Sequence, residues 1–205
     1  MRLKIVQAGE PVLRQRARPL LLEEIALPET QQLISWMHDT MRDAPGVGLA
    51  APQVGLPIQL AVIEDRSEYA RDIPAERLIE RERIPVPFQV LINPRIVEQS
   101  DEQVEFFEGC LSLAGFSALV KRSHHVVVEH WDEGGKSRRI EAQGWYARIL
   151  QHEIDHLYGR LYIDHMDPRS FMSIDNLGRY WKDKPIQAVR EALAELPEPV
   201  EWAGE

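Results

Sequence analysis

Apolar residues follow a helical spacing towards both ends of the chain. After Pro28 they recur every three or four residues, through Met37 to Met41, and so share one face of a helix. Proline suits the first turn of such a helix, and the Pro-Gly pair at 45–46 ends the pattern. A shorter pattern at 186–196 predicts a C-terminal helix.

The middle of the chain alternates apolar and polar residues, as β-strands do. A hairpin turn is expected at 132–135 and another turn at Asn93-Pro94. The mixed charges of 65–83 predict a solvated loop or surface helix without a chemical role, and Lys121-Arg122 is also expected to be solvated. The predicted strands are 58–64, 88–92, 95–97, 104–108, 116–120, 125–131 and 137–142.

The segment 144–157 joins a helical pattern to metal-binding residue types. His152 and His156 stand four positions apart, so on a helix their imidazoles lie one above the other and can bind one ion. Glu153 is poorly placed as a third ligand but well placed to take a proton from a water at that ion. Gly159 fits a left-handed cap after the helix. The segment therefore predicts a metal-binding helix that carries a catalytic carboxylate.

The third ligand separates the possible classes of metalloenzyme. Metzincin peptidases need a histidine where this chain has Tyr162. A thermolysin-like enzyme needs a carboxylate on a later helix, but Asp164 and Asp167 follow too closely and Glu191 lies in a weak terminal helix. Upstream stands Cys110, and although a lone cysteine is more often a small buried apolar residue, a thiolate binds Fe(II) or Zn(II) strongly. With the two histidines it makes a three-ligand site with one open position.

Composition narrows the class of protein further. The chain has 205 residues, a net charge of −9 and one cysteine, which argues against a nucleic-acid scaffold and excludes an internal disulfide framework. It has no signal-peptide core and no apolar run of membrane-spanning length. We expect a cytoplasmic α+β protein of one domain, 1–205, in which antiparallel sheets surround the metal-binding helix. A flexible acidic tail is expected at about 197–205.

Three segments of the chain resemble the motifs of the peptide deformylase family, in the same order. They are Gly46-Val47-Gly48-Leu49-Ala50-Ala51-Pro52-Gln53, Glu108-Gly109-Cys110-Leu111-Ser112 and Gln151-His152-Glu153-Ile154-Asp155-His156-Leu157. The resemblance extends from Pro11 to Asp164. The variants Ala114-Gly115-Phe116 and Gly144-Trp145 resemble the type I branch that includes organellar enzymes.

The resemblance implies an enzyme that hydrolyses the N-formyl group from the formyl-methionine of nascent polypeptides and releases formate. Cys110, His152 and His156 would hold one divalent metal ion, Fe²⁺ in the cell, with Zn²⁺, Ni²⁺ or Co²⁺ as alternatives. A transient contact with the ribosome is implied, without direct reading of nucleic acid and without a membrane. Whether the chain is a monomer or a homodimer stays open.

The resemblance also assigns roles within the site. Glu153 would activate the water held by the metal and then protonate the departing amine, while the Gln53 amide and the backbone N–H of Leu111 would stabilise the oxyanion. The residues implied to bind substrate are Val47, Gly48, Phe106, Glu108, Gly109, Trp145, Arg148 and Ile149.

The chain departs from the family pattern at Ser117, where many members carry an arginine. If this position faces the substrate, a serine in place of the arginine should weaken the binding of substrate residues beyond the second. If the position lies in solvent, the replacement should not change substrate binding. Two other functions stay open on the residues alone. A general metallopeptidase would share the histidines and Glu153 but need no cysteine, and a structural metal site would need a fourth protein ligand.

Overall fold

The computed structural model describes residues 1–197. The acidic tail predicted at about 197–205 therefore lies, from residue 198 onward, outside the described residues. The helices are α1 (Leu22–Ile25), α2 (Pro28–Asp43), α3 (Ala75–Glu80), α4 (Gly144–Leu157), α5 (Ile174–Tyr180) and α6 (Ile186–Ala194). The strands are β1 (Gly48–Ala50), β2 (Leu60–Asp65), β3 (Val86–Gln99), β4 (Gln103–Cys110), β5 (Leu113–Ser123), β6 (His125–Trp131), β7 (Ser137–Gln143) and β8 (Met172–Ser173).

Two antiparallel sheets carry the fold. The larger has the strand order β1-β2-β3-β6-β7, and the smaller has the order β4-β5-β8. Within the described part of the chain, β1 is therefore an edge strand. The predicted α+β class is confirmed, with antiparallel sheets and with helices near both ends.

The larger sheet lies between α2 and α4. Its strands carry apolar residues on both faces, because successive residues point alternately to α2 and to α4. Along β2, Leu60 and Val62 pack with α2, whereas Ala61 and Ile63 pack with α4. Met37 of α2 is fully buried in this contact, and burying a side chain of that size stabilises the fold by about 1.5–3 kcal/mol.

The smaller sheet packs on the other side of α4. Gln151 of α4 donates its amide to the carbonyl of Ser123 at 2.8 Å and accepts the Ser123 N–H at 3.1 Å. Helix α6 covers this sheet, where Val189 packs with Phe107 and Leu119. Helix α4, which was predicted to bind a metal, is thus held between two sheets.

Most predicted elements are present, with one wrong turn and four omissions. Helices α2, α4 and α6 match the predicted ranges closely. The turn predicted at Asn93-Pro94 is wrong, because β3 continues through it as a bulge with Asn93 at φ 50°. Strands β1 and β8 and helices α1 and α5 were not predicted. No helix within residues 1–197 is long and apolar enough to cross a membrane.

Candidate metal centre and active-site cavity

The end of β4 and the second half of α4 bring three metal-ligand atoms together. The donor atoms of Cys110, His152 and His156 all lie within 4.8 Å of one another, the one such cluster found in residues 1–197. Cys110 Sγ lies 3.3 Å from His156 Nε2, and the two imidazoles meet edge to face with ring centroids 5.0 Å apart. The spacing of four positions on α4 thus presents both rings to the sulfur.

The donor set fits a divalent metal ion. Metal–ligand bonds of about 2.0–2.3 Å hold tetrahedral donors roughly 3.3–3.8 Å apart, which agrees with the 3.3 Å between Cys110 and His156. Two atoms around the cluster, His156 Nδ1 and Glu153 Oε2, are buried without a hydrogen-bond partner among the described residues. A thiol and two imidazoles are suitable ligands for Fe²⁺, Zn²⁺, Ni²⁺ and Co²⁺ alike.

The electrostatics of the cluster favour a thiolate. Burial by itself raises the pKa of the Cys110 thiol, but the His156 and His152 imidazoles lower the pKa of Cys110 to about 5. Burial also opposes a charged imidazole, yet hydrogen bonds to Cys110 and Glu108 raise the pKa of His152 well above its usual value. A cysteine that ionises this readily is prepared to bind a cation.

Glu108 orients the first histidine from behind. Its Oε2 accepts the His152 Nδ1–H at 3.0 Å, which leaves His152 Nε2 free to bind a metal. The same carboxylate accepts two hydrogen bonds from Arg122 at 3.0 Å and one from Arg148 at 2.6 Å. Burial alone would raise the pKa of Glu108, but Arg122 and His152 hold it well below its usual range. Glu108 therefore stays ionised and fixes the tautomer of His152.

Glu153 lies beside the ligands in a confined space. The residue is 4% exposed, and a Cβ added to Gly48 of β1 would come within 2.5 Å of Glu153 Cδ. Burial raises the pKa of Glu153 to about 6, although the neighbouring imidazoles of His152 and His156 oppose this shift. A carboxyl with a pKa near neutrality can both accept and return a proton.

Gln53 points its amide nitrogen at the cluster. Its Oε1 accepts the Ala50 N–H at 2.8 Å, so the NH₂ group is the one that lies 3.4 Å from Cys110 Sγ and 3.4 Å from Ser112 Oγ. Leu111 follows Cys110 in the turn between β4 and β5, where its carbonyl accepts the Gln7 amide at 3.0 Å. Both residues border the same space as Glu153.

A cavity of about 480 Å³ opens beside the three donors. Edge strand β1 forms one wall and the first turns of α4 form another. Of the residues predicted to bind substrate, those in the lining are Val47, Gly48, Glu108, Gly109, Trp145, Arg148 and Ile149.

Phe106 and Ser117 lie away from this cavity. Among the described residues, Phe106 is not in the lining but packs behind Arg148, whose guanidinium lies 5.2 Å from the Phe106 ring centroid. Ser117 is buried, donates its hydroxyl to the Glu108 carbonyl at 2.7 Å and pairs with Met172 of β8. The expectation that Ser117 lies in solvent is therefore wrong. Ser117 is also absent from the lining of the cavity beside the candidate metal ligands.

Two arginines were missed as members of the site. Arg122 was expected to be solvated, but its side chain is 5% exposed and bonds Asp155 of α4 as well as Glu108. Arg83 comes from the stretch read as having no chemical role, yet it lines the cavity and is held by Asp65 through two hydrogen bonds of 2.8 Å. Asp155 is three positions after His152 on α4 and so lies close to the face of the candidate metal ligands, which could have indicated a cation such as Arg122 beside it. Nothing in the local sequence indicates Arg83.

The chain matches known proteins over most of its length. A family model described as polypeptide deformylase matches residues 2–171. The chloroplastic peptide deformylase 1A of Solanum lycopersicum is 46% identical over 90% of this chain, which spans 65% of that relative's length. Peptide deformylase 1 of Bifidobacterium longum is 46% identical over 95% of this chain and 85% of its own length.

The solved structures agree with the sequence matches. A crystal structure of a class I type b peptide deformylase from Acinetobacter baumannii with Met-Ala-Ser bound has a TM-score of 0.73 and 31% identity, covering 81% of this chain and 99% of that one. Both the motifs and the fold of this chain are thus similar to those of the same group of proteins. The chain belongs to the polypeptide deformylase family.

Proposed function

We propose that this protein removes the N-formyl group from the formyl-methionine of nascent polypeptides. The observation that carries the proposal is the meeting of Cys110, His152 and His156 with a buried carboxylate, Glu153, whose Oε2 has no hydrogen-bond partner within residues 1–197. This combination suits hydrolysis of an amide by an activated water. Membership of the deformylase family supports a formyl amide as the substrate.

Cys110, His152 and His156 would hold one divalent ion, for which we propose Fe²⁺ in the cell. When bound, such an ion supplies a Lewis acid that lowers the pKa of water and polarises a carbonyl. Zn²⁺, Ni²⁺ and Co²⁺ suit the same donors.

Glu153 moves the proton. It accepts a proton as the water oxygen bonds to the formyl carbon, and it returns that proton to nitrogen as the carbon–nitrogen bond breaks. The products are formate and a free amino terminus. The confinement of Glu153 against Gly48 supports this role, because it limits the directions in which the carboxylate can turn.

The Gln53 amide would stabilise the negative charge that develops on the formyl oxygen. The hydrogen bond from Ala50 to Gln53 Oε1 fixes the amide with its NH₂ group towards Cys110. The backbone N–H of Leu111 would be a second donor. Loss of one such donor typically costs about 3 kcal/mol of transition-state stabilisation.

The substrate would enter as an extended peptide. Edge strand β1, which begins at Gly48, suits β-pairing with a peptide backbone. The methionine side chain would enter the cavity along Trp145 and Ile149, since an unbranched thioether fits apolar walls. The binding of Met-Ala-Ser by the Acinetobacter baumannii relative supports a methionine-first peptide.

The proposal is tested by formate release. Protein purified without oxygen, with its metal content measured, should release formate from formyl-Met-Ala-Ser and should leave acetyl-Met-Ala-Ser intact. Absence of formate release by metal-loaded protein would contradict the proposal and favour a structural metal site. Cleavage of unformylated peptides at internal bonds would favour a general metallopeptidase instead.

We keep the cytoplasm as the proposed compartment. The Solanum lycopersicum relative is named chloroplastic, so the source cell has to be fractionated and the chain detected by antibody. Recovery with an organelle fraction would contradict a cytoplasmic location.

A further inference from the structure

Trp145 forms a wall of the active-site cavity without a hydrogen bond to hold its ring. It is in the first turn of α4 and lines the cavity. Its indole Nε1 is buried, and it has no acceptor among the described residues. A buried indole N–H usually finds a partner, and that partner then fixes the ring. The ring packs at the edge of the apolar core around α4, and in place of a hydrogen bond its orientation depends on this packing and on the groups that contact its faces.

Two guanidinium groups lie over the Trp145 ring. Arg81 is 5.4 Å and Arg83 is 5.1 Å from the ring centroid. Arg81 also lies 5.7 Å from the centroid of Phe106, which in turn lies 5.2 Å from Arg148. These five side chains form an arginine–aromatic row, in the order Arg83, Trp145, Arg81, Phe106, Arg148. All of these distances are within the range of cation–π attraction.

The central cation of the row depends on the rings. Arg83 and Arg148 at the ends are neutralised by Asp65 and Glu108. Arg81 has no carboxylate at ion-pair distance in the described part of the chain, and its Nε is buried without a partner. Burial, together with the nearby charge of Arg83, lowers the pKa of Arg81. The charge of Glu80 favours the charged guanidinium from a distance, and the groups in direct contact with its face are the rings of Trp145 and Phe106.

The backbone fixes Arg81 and Arg83 relative to α4. The Trp145 N–H donates to the Arg81 carbonyl at 2.9 Å. Glu82 has a φ of 47°, which turns the chain sharply between the two arginines, and a Cβ added to Gly144 would come within 2.6 Å of Glu82 Cβ. This close approach at Gly144 seats the turn directly on the start of the helix. The guanidinium groups thus have a fixed base from which to hold the ring.

We propose that Arg81 is a positioning residue that orients Trp145 and thereby sets which first side chain of the substrate the cavity admits. As regards the substrate, this inference rests on the proposed function. With the Arg81 guanidinium present, the indole is held as a fixed wall. Without this guanidinium, the ring gains freedom to rotate, and the cavity admits bulkier substrate side chains. Glu153 and the candidate metal ligands keep their positions.

The kinetic test compares Arg81→Met with Arg179→Met. Arg179 also lies over an aromatic ring, 5.6 Å from the Tyr180 centroid, but that pair is exposed and away from the cavity. For Arg81→Met, KM for formyl-Met-Ala-Ser should rise and its preference over formyl-Phe-Ala-Ser should fall, each by roughly 3- to 10-fold, the loss expected for one partly buried cation–π contact. The change in kcat for the methionine peptide should stay within about 2-fold, and Arg179→Met should match the wild type.

A second readout follows the ring itself. The emission of Trp145 is obtained by subtracting the emission of the same protein with Trp145→Phe. Quenching of this emission by acrylamide should increase in Arg81→Met and not in Arg179→Met. Arg81→Lys should recover part of both effects because it retains a cation. If Arg81→Met does not fold, Arg81→Gln takes its place.

The outcomes separate the two proposals. An unchanged preference between the methionine and phenylalanine peptides in a folded Arg81 variant overturns the inference, and so does a fall in kcat alone. If wild-type protein releases no formate, the proposed function fails, and the quenching then decides alone whether Arg81 orients Trp145.

Discussion

Glu108 is the residue on which the geometry of the metal ligands depends most. It is buried against two arginines and also accepts a hydrogen bond from His152 Nδ1–H. A carboxylate behind a metal-ligating histidine fixes the tautomer and strengthens the ligand. The resemblance assigned Glu108 to substrate binding, and its position on the cavity wall is compatible with that role as well.

Glu108→Gln should therefore weaken both the metal site and the fold. We expect a loss of roughly 10- to 100-fold in metal affinity, because the partner of His152 loses its charge. We expect the free energy of unfolding to fall by about 3–5 kcal/mol, because Arg122 and Arg148 lose a buried counter-ion. Chelator competition and urea denaturation measure the two quantities. Glu68→Gln, which breaks only the exposed pair with Arg66, is the control; an unchanged metal affinity in Glu108→Gln would count against the orienting role.

Gly48 is a second residue whose small size matters for the proposed chemistry. A methyl group at this position would overlap the Glu153 carboxylate. Gly48→Ala should lower kcat about 100-fold, the usual effect of displacing a catalytic group by an ångström, while the metal content stays that of the wild type. Gly178→Ala in α5, where an added Cβ meets nothing within 4 Å, should be fully active. Full activity of Gly48→Ala would mean that Glu153 does not need its present position.

At the scale of elements, the short strand β8 decides what the smaller sheet can present. It pairs with β5 at Phe116 and Ser117, and Ser117 is buried at this contact. Helix α5 follows directly, and Ile174 at its start reaches the rim of the active-site cavity. The segment after the metal helix is thus part of the support of the site.

Ser117→Arg should destabilise the protein and should not strengthen the binding of peptide residues beyond the second. An arginine at this buried position has to displace β8 or bury a charge, so the free energy of unfolding should fall by at least about 2 kcal/mol. Phe116→Arg, one residue away on the exposed side, should cost less than about 1.5 kcal/mol, mainly for the lost stacking on Phe171. Equal stability of both variants in urea would refute the packing described for β8.

The elements that sequence reasoning found are those with a local signal. Helix α2 and the metal helix α4 have a helical period over several turns, and β6 and β7 flank a hairpin turn. The bulge at Asn93 was misread because its left-handed residue and the following proline also occur in turns. Strand β8 has only two residues, too few for any period.

The part of the candidate site that could be predicted consists of residues that belong to the sequence motifs and supply the candidate ligand and catalytic atoms themselves. The contacts around the site could not be predicted, because they join distant parts of the chain. Arg122 is buried because β5 both pairs with β4 and contacts α4, which brings Glu108 and Asp155 to it. Arg83 reaches Trp145 only because the turn at Glu82 is seated on Gly144. Local sequence carries no information on such pairings.

At the scale of the whole molecule, the candidate metal ligands come from elements of both sheets. Cys110 belongs to the smaller sheet, while α4 is packed on the larger one. An ion bound to both should therefore stabilise the entire fold. At a free metal concentration 100 times its Kd, the gain in the free energy of unfolding is about 2.7 kcal/mol.

Removal of the metal by a chelator should lower the Tm of the wild-type protein, and added metal should restore it. Cys110→Ser should bind metal weakly and show a much smaller shift, because a hydroxyl is a poor replacement for the thiolate. Calorimetry with and without chelator measures both proteins. The same Tm with and without metal would contradict a centre that links the sheets.

In the proposed enzyme, Cys110, His152 and His156 hold the metal, whereas Glu153 transfers the proton and is not a ligand. The most direct measurement is metal content together with formate release for Glu153→Gln, beside Cys110→Ala, both prepared without oxygen. We predict that Glu153→Gln keeps the full metal content and loses at least about 100-fold in turnover, the usual effect of removing a general base, whereas Cys110→Ala loses metal and activity together. A Glu153→Gln protein that loses its metal, or one that keeps both its metal and more than about a tenth of wild-type turnover, would contradict the account.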